Sequence, residues 1–305
     1  MSIFQRQIDG KRQKRRRSRI LAWCFLAPSL CGVFLFQVLP FLDVVRRSFL
    51  DAMGQSFVGM ANYQTVWENE AFRMAAGNTL HFLAAAIPAL SLVSLALSLL
   101  VYRCGAGQRF YKTSLVLPMV IPAAAMVLVW RILFCPDGLW NQLLSAMTGR
   151  LWERDWVHGR TAFPILAVTY LWKNIGYDML LWLAGLSAIP RGLYDAARVD
   201  GAGEWAQIRW ITLPCLQRTT GLVLVLSVVN SFRVYREAYL LAGSYPDLSI
   251  YMIPHLFGHW FLTLDIQKMS TAAVFLVLAV LPVWGIGGWV KWVSDESRIK
   301  RAQEK

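Results

Sequence analysis

Apolar residues along this chain gather into long continuous runs instead of alternating or tracing a single helical stripe. The runs cover about residues 20–42, 79–102, 113–134, 163–187, 219–240 and 270–293. Each approaches the roughly 20 residues that a helix needs to cross the hydrocarbon of a bilayer. Proline interrupts or ends several of them, at Pro28, Pro40, Pro88, Pro118, Pro122 and Pro282. A broken helix inside a membrane is tolerated where neighbouring helices or a wet cavity satisfy the freed backbone groups. The pattern predicts an all-α polytopic membrane protein, a bundle of about six transmembrane helices, and it favours a transporter over a simple anchor. The fifth run is the least regular, because its outer end carries charge.

The segments between the runs read as structured. Ser48 to Asn78 mixes charge with Phe57, Tyr63, Trp67 and Phe72, which predicts a small extracytoplasmic cap. Cys135 to Arg160 opens on the turn signal Pro136-Asp137-Gly138 and continues into Leu139–Leu144, a short interfacial helix. Trp140, Trp152 and Trp156 fit an aromatic belt there. No internal repeat or linker divides the chain. The expected organisation is a basic cytoplasmic tail 1–19, a single membrane domain 20–293 with a polar loop at 188–218, and a cytoplasmic tail 294–305.

Charge then sets the orientation. The net charge of +13 would suit nucleic acid, but its placement points elsewhere. With both termini inside, 20 of the Lys and Arg fall on the cytoplasmic side and 7 on the other. That is the positive-inside bias. The run Lys11-Arg12-Gln13-Lys14-Arg15-Arg16-Arg17 reads as an anchor beside anionic membrane lipid, with no nucleic-acid partner. The first apolar run is too long for a signal-peptide core and lacks a small-x-small cleavage site, so it is kept as a span. The five cysteines are scattered, with Cys24, Cys31 and Cys215 in or near runs, and imply neither a metal site nor a disulfide framework.

The polar loop is the most informative segment. Ile189-Pro190 ends the fourth run, since proline cannot continue the hydrogen-bond ladder. Residues 191–199 form helix, with Leu193, Ala196, Ala197 and Val199 on an apolar side. Gly201 follows Asp200 and can turn left-handed without steric cost. A second short helix carries Trp205, Ile208 and Ile211 near one face and exits at Pro214. A bent element with small residues exposed suits insertion into a groove on a soluble partner. The bland alternative is an amphipathic helix lying on the membrane surface, with Asp200-Gly201 a plain turn.

This stretch resembles the cytoplasmic EAA loop of binding-protein-dependent ABC importer permeases. Their pattern is Glu-Ala-Ala, three residues, Gly, then Ile-x-Leu-Pro. Here it is Asp195-Ala196-Ala197, Arg198-Val199-Asp200, Gly201-Ala202, and Ile211-Thr212-Leu213-Pro214. Leu183 through Pro190 and Phe57-Val58-Gly59-Met60-Ala61-Asn62-Tyr63 are similar to the maltose-type, sugar-importing branch. So are Asn78-Thr79-Leu80, Leu117-Pro118 through Pro122, and Trp130-Arg131-Ile132-Leu133-Phe134. Two positions depart from the pattern. Asp195 stands where the family usually has Glu, one methylene longer, and Gly243-Ser244-Tyr245-Pro246 replaces Gly-Gly-Gly-Pro.

Ionisable groups at mid-membrane cost roughly 2.5–3.5 kcal/mol each on the insertion scale, so they need a reason. Lys173 and Asn174 fall near the middle of the fourth run, with Asp178 one turn on. Asn174 and Asp178 share a face from which Lys173 is rotated. In the fifth run Asn230, Arg233 and Glu237 form a polar stripe, and Arg236 lies off it. The functional reading is a solute path lined by Asn174, Asp178, Asn230, Arg233 and Glu237, with Tyr170, Trp172 and Tyr177 able to stack on sugar rings. The bland one is internal counter-ion pairs and packing.

No Gly-x-x-x-x-Gly-Lys-Ser/Thr loop occurs, so the chain holds no usual nucleotide cradle. His255 and His259 have the spacing of two zinc ligands, but Leu256 occupies the place of the metalloprotease Glu. No catalytic residue, metal site or cofactor is expected. The resemblance implies a multi-pass subunit of the bacterial inner membrane, working by alternating access. It further implies two P-loop ATPase subunits that use ATP and Mg, a second permease chain forming a heterodimer, an extracytoplasmic solute-binding protein, and a sugar or oligosaccharide as solute. The competing class is an ATP-independent carrier or passive pore.

Overall fold

The computed structural model describes residues 21, 23–243 and 246–281. The tail 1–19 with its basic run, Ser244 and Tyr245, the sixth apolar run beyond residue 281 and the tail 294–305 lie outside the described residues. In chain order the helices are α1 (Trp23–Arg47), α2 (Ala61–Glu68), α3 (Glu70–Arg103), α4 (Gln108–Val120), α5 (Ala123–Phe134), α6 (Leu139–Thr148) and α7 (Ala162–Ser187). They continue with α8 (Arg191–Val199), α9 (Glu204–Cys215), α10 (Gln217–Ser231), α11 (Tyr235–Ala242), α12 (Ile253–Leu262) and α13 (Ile266–Leu281). Among the described residues there is no strand, only an isolated bridge between Leu50 and Phe57.

By length and composition Trp23–Arg47, Glu70–Arg103 and Ala123–Thr148 can each cross a bilayer, and so can Glu204–Cys215 with Gln217–Leu240 as one bent pair. Helix α7 has the length, at 26 residues, while Lys173, Asn174 and Asp178 dilute its apolar character. The third predicted run is not one helix. Pro122 pushes Ile121 out of helical geometry (ψ 125°), so α4 and α5 meet at a break, and apolar character runs on from α5 through a tight turn into α6.

The chain divides into two compact units, Met1–Trp67 with Thr263–Ala279 and Glu68–Leu262 with Val280–Lys305. In the first, α1 is apolar on every side as far as Leu42, ahead of the charged end at Asp43, Arg46 and Arg47. Such a helix belongs in lipid or against another membrane chain. Pro40 lacks an N–H and crowds the carbonyl four residues back; the helix absorbs this with a π turn at Phe34–Val38. The loop beyond is ordered. Asn62 donates to the carbonyls of Ser48 (3.0 Å) and Leu50 (2.6 Å), and the Ser48 and Tyr63 hydroxyls bond at 2.7 Å. Tyr63 packs edge-on against Phe275.

The second unit is built on α3 and α7, which pack along one another. Asn69 caps α3 by accepting from the Phe72 N–H (2.9 Å), so this helix starts nine residues before the apolar run and reaches 34 residues, about 51 Å. Asn78 ties its outer end to the carbonyls of Leu248 (2.5 Å) and Tyr251 (2.9 Å). Phe82, Leu90, Leu166, Tyr170, Val234 and Ile250 form one core cluster; Met179, Trp182, Leu186, Leu216 and Val223 form another. Lipid is as apolar as these side chains, so close packing holds the helices, and small residues permit it. A Cβ on Gly176 would lie 2.0 Å from the Leu115 carbonyl oxygen, and one on Gly185 would lie 2.4 Å from Thr219 Oγ1. Helices α4 and α7 thus touch backbone to backbone.

Gly176→Val is therefore expected to lower the thermal midpoint of the detergent-solubilised protein sharply, since overpacking typically costs about 1–3 kcal/mol and a backbone carbonyl has little room to yield. Gly192→Ala, where a Cβ meets nothing within 4 Å, should leave the midpoint unchanged or raise it. Equal midpoints for the Gly176 variant and the parent would contradict this contact.

Candidate functional site

Helix α10 does not run straight into α11. Phe232–Val234 tighten into a 3₁₀ turn, and α11 packs against α5. A 3₁₀ residue advances about 20° more than an α residue, so three of them rotate α11 by about 60° relative to a continuous helix. This brings Arg236, which falls off the polar stripe on an unbroken helix, round to the same side as Asn230, Arg233 and Glu237. Between these residues and α4 and α7 opens a cavity of about 550 Å³. Met119 lines it from α4, and Thr169, Tyr170, Lys173 and Asn174 line it from α7. Asn230, the turn Phe232–Val234, Tyr235, Arg236 and Glu237 complete the wall.

The wheel position of Lys173 misleads, because its four-carbon stem carries the ammonium round to donate to Glu237 Oε1 across the cavity. Glu237 is 7 % exposed and its other oxygen has no partner. The Tyr170 hydroxyl donates to the Ser227 carbonyl (2.8 Å), fixing α7 against α10. Asn174 donates to the Tyr170 carbonyl on its own helix (2.8 Å). Asp178 stands apart from the other predicted path residues. It is fully buried, accepts from Ser227 Oγ (2.7 Å), and lies outside the cavity lining. Trp172 meets Trp130 edge-on, and neither it nor Tyr177 lines the cavity.

Beyond the outer end of α11, the His255 ring packs edge-on against Tyr235, 4.7 Å between centroids. Its Nδ1 accepts from the Met252 N–H (3.2 Å), which leaves the proton of the neutral ring on a buried Nε2. Burial pushes the His255 pKa down to about 4. His259 Nδ1 sits 2.7 Å from the Tyr251 hydroxyl. These histidines pack and brace.

At the opposite end, α8 closes with both bonds of a Schellman turn: the Gly201 N–H donates to the Arg198 carbonyl (3.1 Å) and the Ala202 N–H to the Ala197 carbonyl (2.8 Å). Gly201 takes φ 76°, where a side chain would be strained. Asp195, Ala196, Asp200 and Gly201 are exposed, and Ala197 and Ala202 are half-buried. Val199, Trp205 and Trp210 are 88 %, 75 % and 72 % exposed, so the apolar side of this loop is open. Asp195 pairs with Arg198 at 3.0 Å, a solvated contact of little energetic weight. The loop is held from behind. Tyr194 bonds Thr212 (2.9 Å), Gln207 donates to the Ala202 carbonyl (2.8 Å), and Arg103 at the end of α3 pairs with Glu204 (2.7 Å). Helix α9 repeats the device of α1, a π turn at Ile208–Thr212 two residues ahead of Pro214. The extra residue turns Trp205 away from Ile211, which helps pack the second core cluster. A bend of 67° then leads into Gln217–Leu240.

Two outcomes follow. Lys173→Met and Glu237→Gln should each destabilise the solubilised protein, by up to about 3–5 kcal/mol, because each strands a poorly hydrated charge. The double variant should recover much of the loss in a thermal-midpoint cycle; additive losses would mean the two groups do not interact. His255 has a folded pKa below its unfolded value of 6.5, so the unfolded chain takes up the proton first. Its contribution is intact above pH 6.5 and is lost as pH falls toward about 4. His255→Phe should flatten the dependence of thermal midpoint on pH across that window.

Comparison with known proteins gives these features a family. AmyD of Thermoanaerobacterium thermosulfurigenes, a probable starch degradation products transport system permease protein, is 28 % identical over 281 residues, covering 90 % of this chain and 95 % of that protein. The sn-glycerol-3-phosphate transport system permease protein UgpA of Escherichia coli is 29 % identical over 274 residues, covering 87 % and 92 %. A solved bacterial ABC transporter involved in import of the acidic polysaccharide alginate shares the fold, with a TM-score of 0.77 at 22 % identity over 92 % of this chain and 98 % of that one. The model of one family matches residues 93–290, which include the cavity and the whole loop, and the chain belongs to that family, the binding-protein-dependent transport system inner membrane components.

Proposed function

We propose that this chain is a permease subunit of an ATP-driven importer for a sugar or oligosaccharide, and that α8 with its Schellman turn is the element through which a separate ATPase moves it. The observation that carries this reading is the exposed, rigidly backed loop from Asp195 to Ala202. Its open apolar face and left-handed glycine suit a groove on a partner, and the segment matches the EAA pattern residue by residue apart from Asp195.

Solute would arrive from an extracytoplasmic binding protein. It would pass the cavity walled by Asn174, Asn230, Arg233 and Glu237, while closure of two ATPase subunits pulls on α8. Alternating access then needs an element with two arrangements. The 67° bend at Leu216 and the 3₁₀ turn at Phe232–Val234, with the π turn at Ile208–Thr212, are places where this helix chain already departs from regular α geometry. Both ends of the chain would lie in the cytoplasm, consistent with the charge bias. A second, different permease chain would complete the path, and ATP and Mg would be bound by the ATPase subunits alone. The matched relatives include permeases named for starch degradation products and for sn-glycerol-3-phosphate, which supports a carbohydrate-like solute.

Gly201→Pro is expected to abolish energised uptake while the protein still inserts and assembles. Proline has no N–H for the Arg198 carbonyl and its fixed φ excludes 76°. Uptake into membrane vesicles with and without ATP is the measurement. Full uptake by the variant, or parental uptake that persists without ATP, would instead favour a passive carrier.

A further inference from the structure

The charge on the cavity wall is unbalanced. Its lining includes Lys173, Arg233, Arg236 and Glu237, three cations and one anion, with Tyr170 and Tyr235 as the remaining titratable groups. Lys173 and Glu237 pair with each other and cancel. Both guanidiniums are exposed, and among the described residues neither has a carboxylate within ion-pair distance. The wall therefore presents two uncompensated positive charges, three residues apart on one turn, in a segment predicted to lie within the membrane. Charges at that depth persist where they have work to do or a partner to meet. Arginine, with its planar fork of donors, is the side chain best matched to carboxylate or phosphate oxygens.

Resting on the import reading above, we propose that the transported solute is an anionic saccharide, bearing a carboxylate or a phosphate, and that Arg233 and Arg236 receive its charge. Three residues apart, the two arginines share one face, and the 3₁₀ turn at Phe232–Val234 narrows the angle between them. The Lys173–Glu237 pair keeps the single carboxylate from repelling the ligand. Of the two amides on the wall, that of Asn174 already donates to its own helix, which leaves Asn230 beside the two uncommitted guanidiniums.

The test uses the complete transporter in proteoliposomes with its binding protein and ATP. Three probes are compared at equal concentration and ionic strength: trigalacturonate for a carboxylate, glucose 6-phosphate for a phosphate, and maltotriose as the neutral reference. One acidic probe should enter at least tenfold faster than maltotriose, and its identity distinguishes carboxylate from phosphate. Arg233→Gln and Arg236→Gln, each measured against the same binding protein, should lower that ratio about tenfold by raising the KM for the acid. The Lys variants at these positions should keep most of the preference, and serve if a Gln variant fails to assemble. ATP-dependent uptake that favours maltotriose would overturn the anionic assignment and leave the import reading standing. An acid preference unchanged in the arginine variants would overturn the role given to Arg233 and Arg236, assigning the two charges to carboxylates of the partner permease. No ATP-dependent uptake of any probe would sink the import reading and this proposal together.

Discussion

Hydrocarbon offers no hydrogen bonds, so each backbone amide within the bilayer must be answered by the protein or by water in a protected cavity. The architecture follows from that constraint. Helices dominate because they answer their own amides. Each proline removes one answer: α3 and α4 run straight through Pro88 and Pro118, and elsewhere the chain changes geometry. Upstream of Pro40 and Pro214 it widens by one residue into a π turn and keeps going. At Pro122 it stops, and Ile121 leaves helical geometry before a new helix starts. The second unit thus mixes long unbroken supports, α3 and α7, with broken helices around them. The polar cavity lies between one of the supports, α7, and the broken helices.

Much of this was legible in the sequence. Apolar runs are cumulative signals, and prolines mark where a helix can yield. It does so at Pro40, Pro122 and Pro214, whereas α3 and α4 continue through Pro88 and Pro118, which the sequence expected to interrupt or end spans. The conformation of the polar loop was also readable, since Pro190, the small residues Ala196 and Ala197, and Gly201 after Asp200 each have a local steric meaning. Its left-handed glycine and two-bond closure are what such a string encodes.

The phase of side chains beyond a break was less legible. A wheel drawn through residues 219–240 assumes a constant advance per residue, and the 3₁₀ turn at Phe232–Val234 violates it. Arg236 therefore joins the cavity although the wheel sets it aside. Lys173 joins for another reason, the reach of a flexible stem. Asp178 moves the opposite way. It shares a face with Asn174, but α10 lies against that turn, and Ser227 takes the carboxylate into packing. Neither the extra rotation nor the neighbour across the gap can be derived from the helix's own residues. The helical start at Glu70, nine residues ahead of the apolar run, was encoded by Asn69 and obscured by the polar residues that follow.

Gly176 deserves a mechanical reading. With the Leu115 carbonyl where a methyl group would otherwise sit, α4 and α7 interlock like a tooth and notch. Sliding one along the other by even part of a turn would drive a side chain into a backbone oxygen. The two helices must travel as one body, so the cavity wall that they share cannot be reshaped from within. Any change in which side the cavity faces has to be made on the other wall, through α10 and α11, whose inner end leads at Leu216 directly back to the loop.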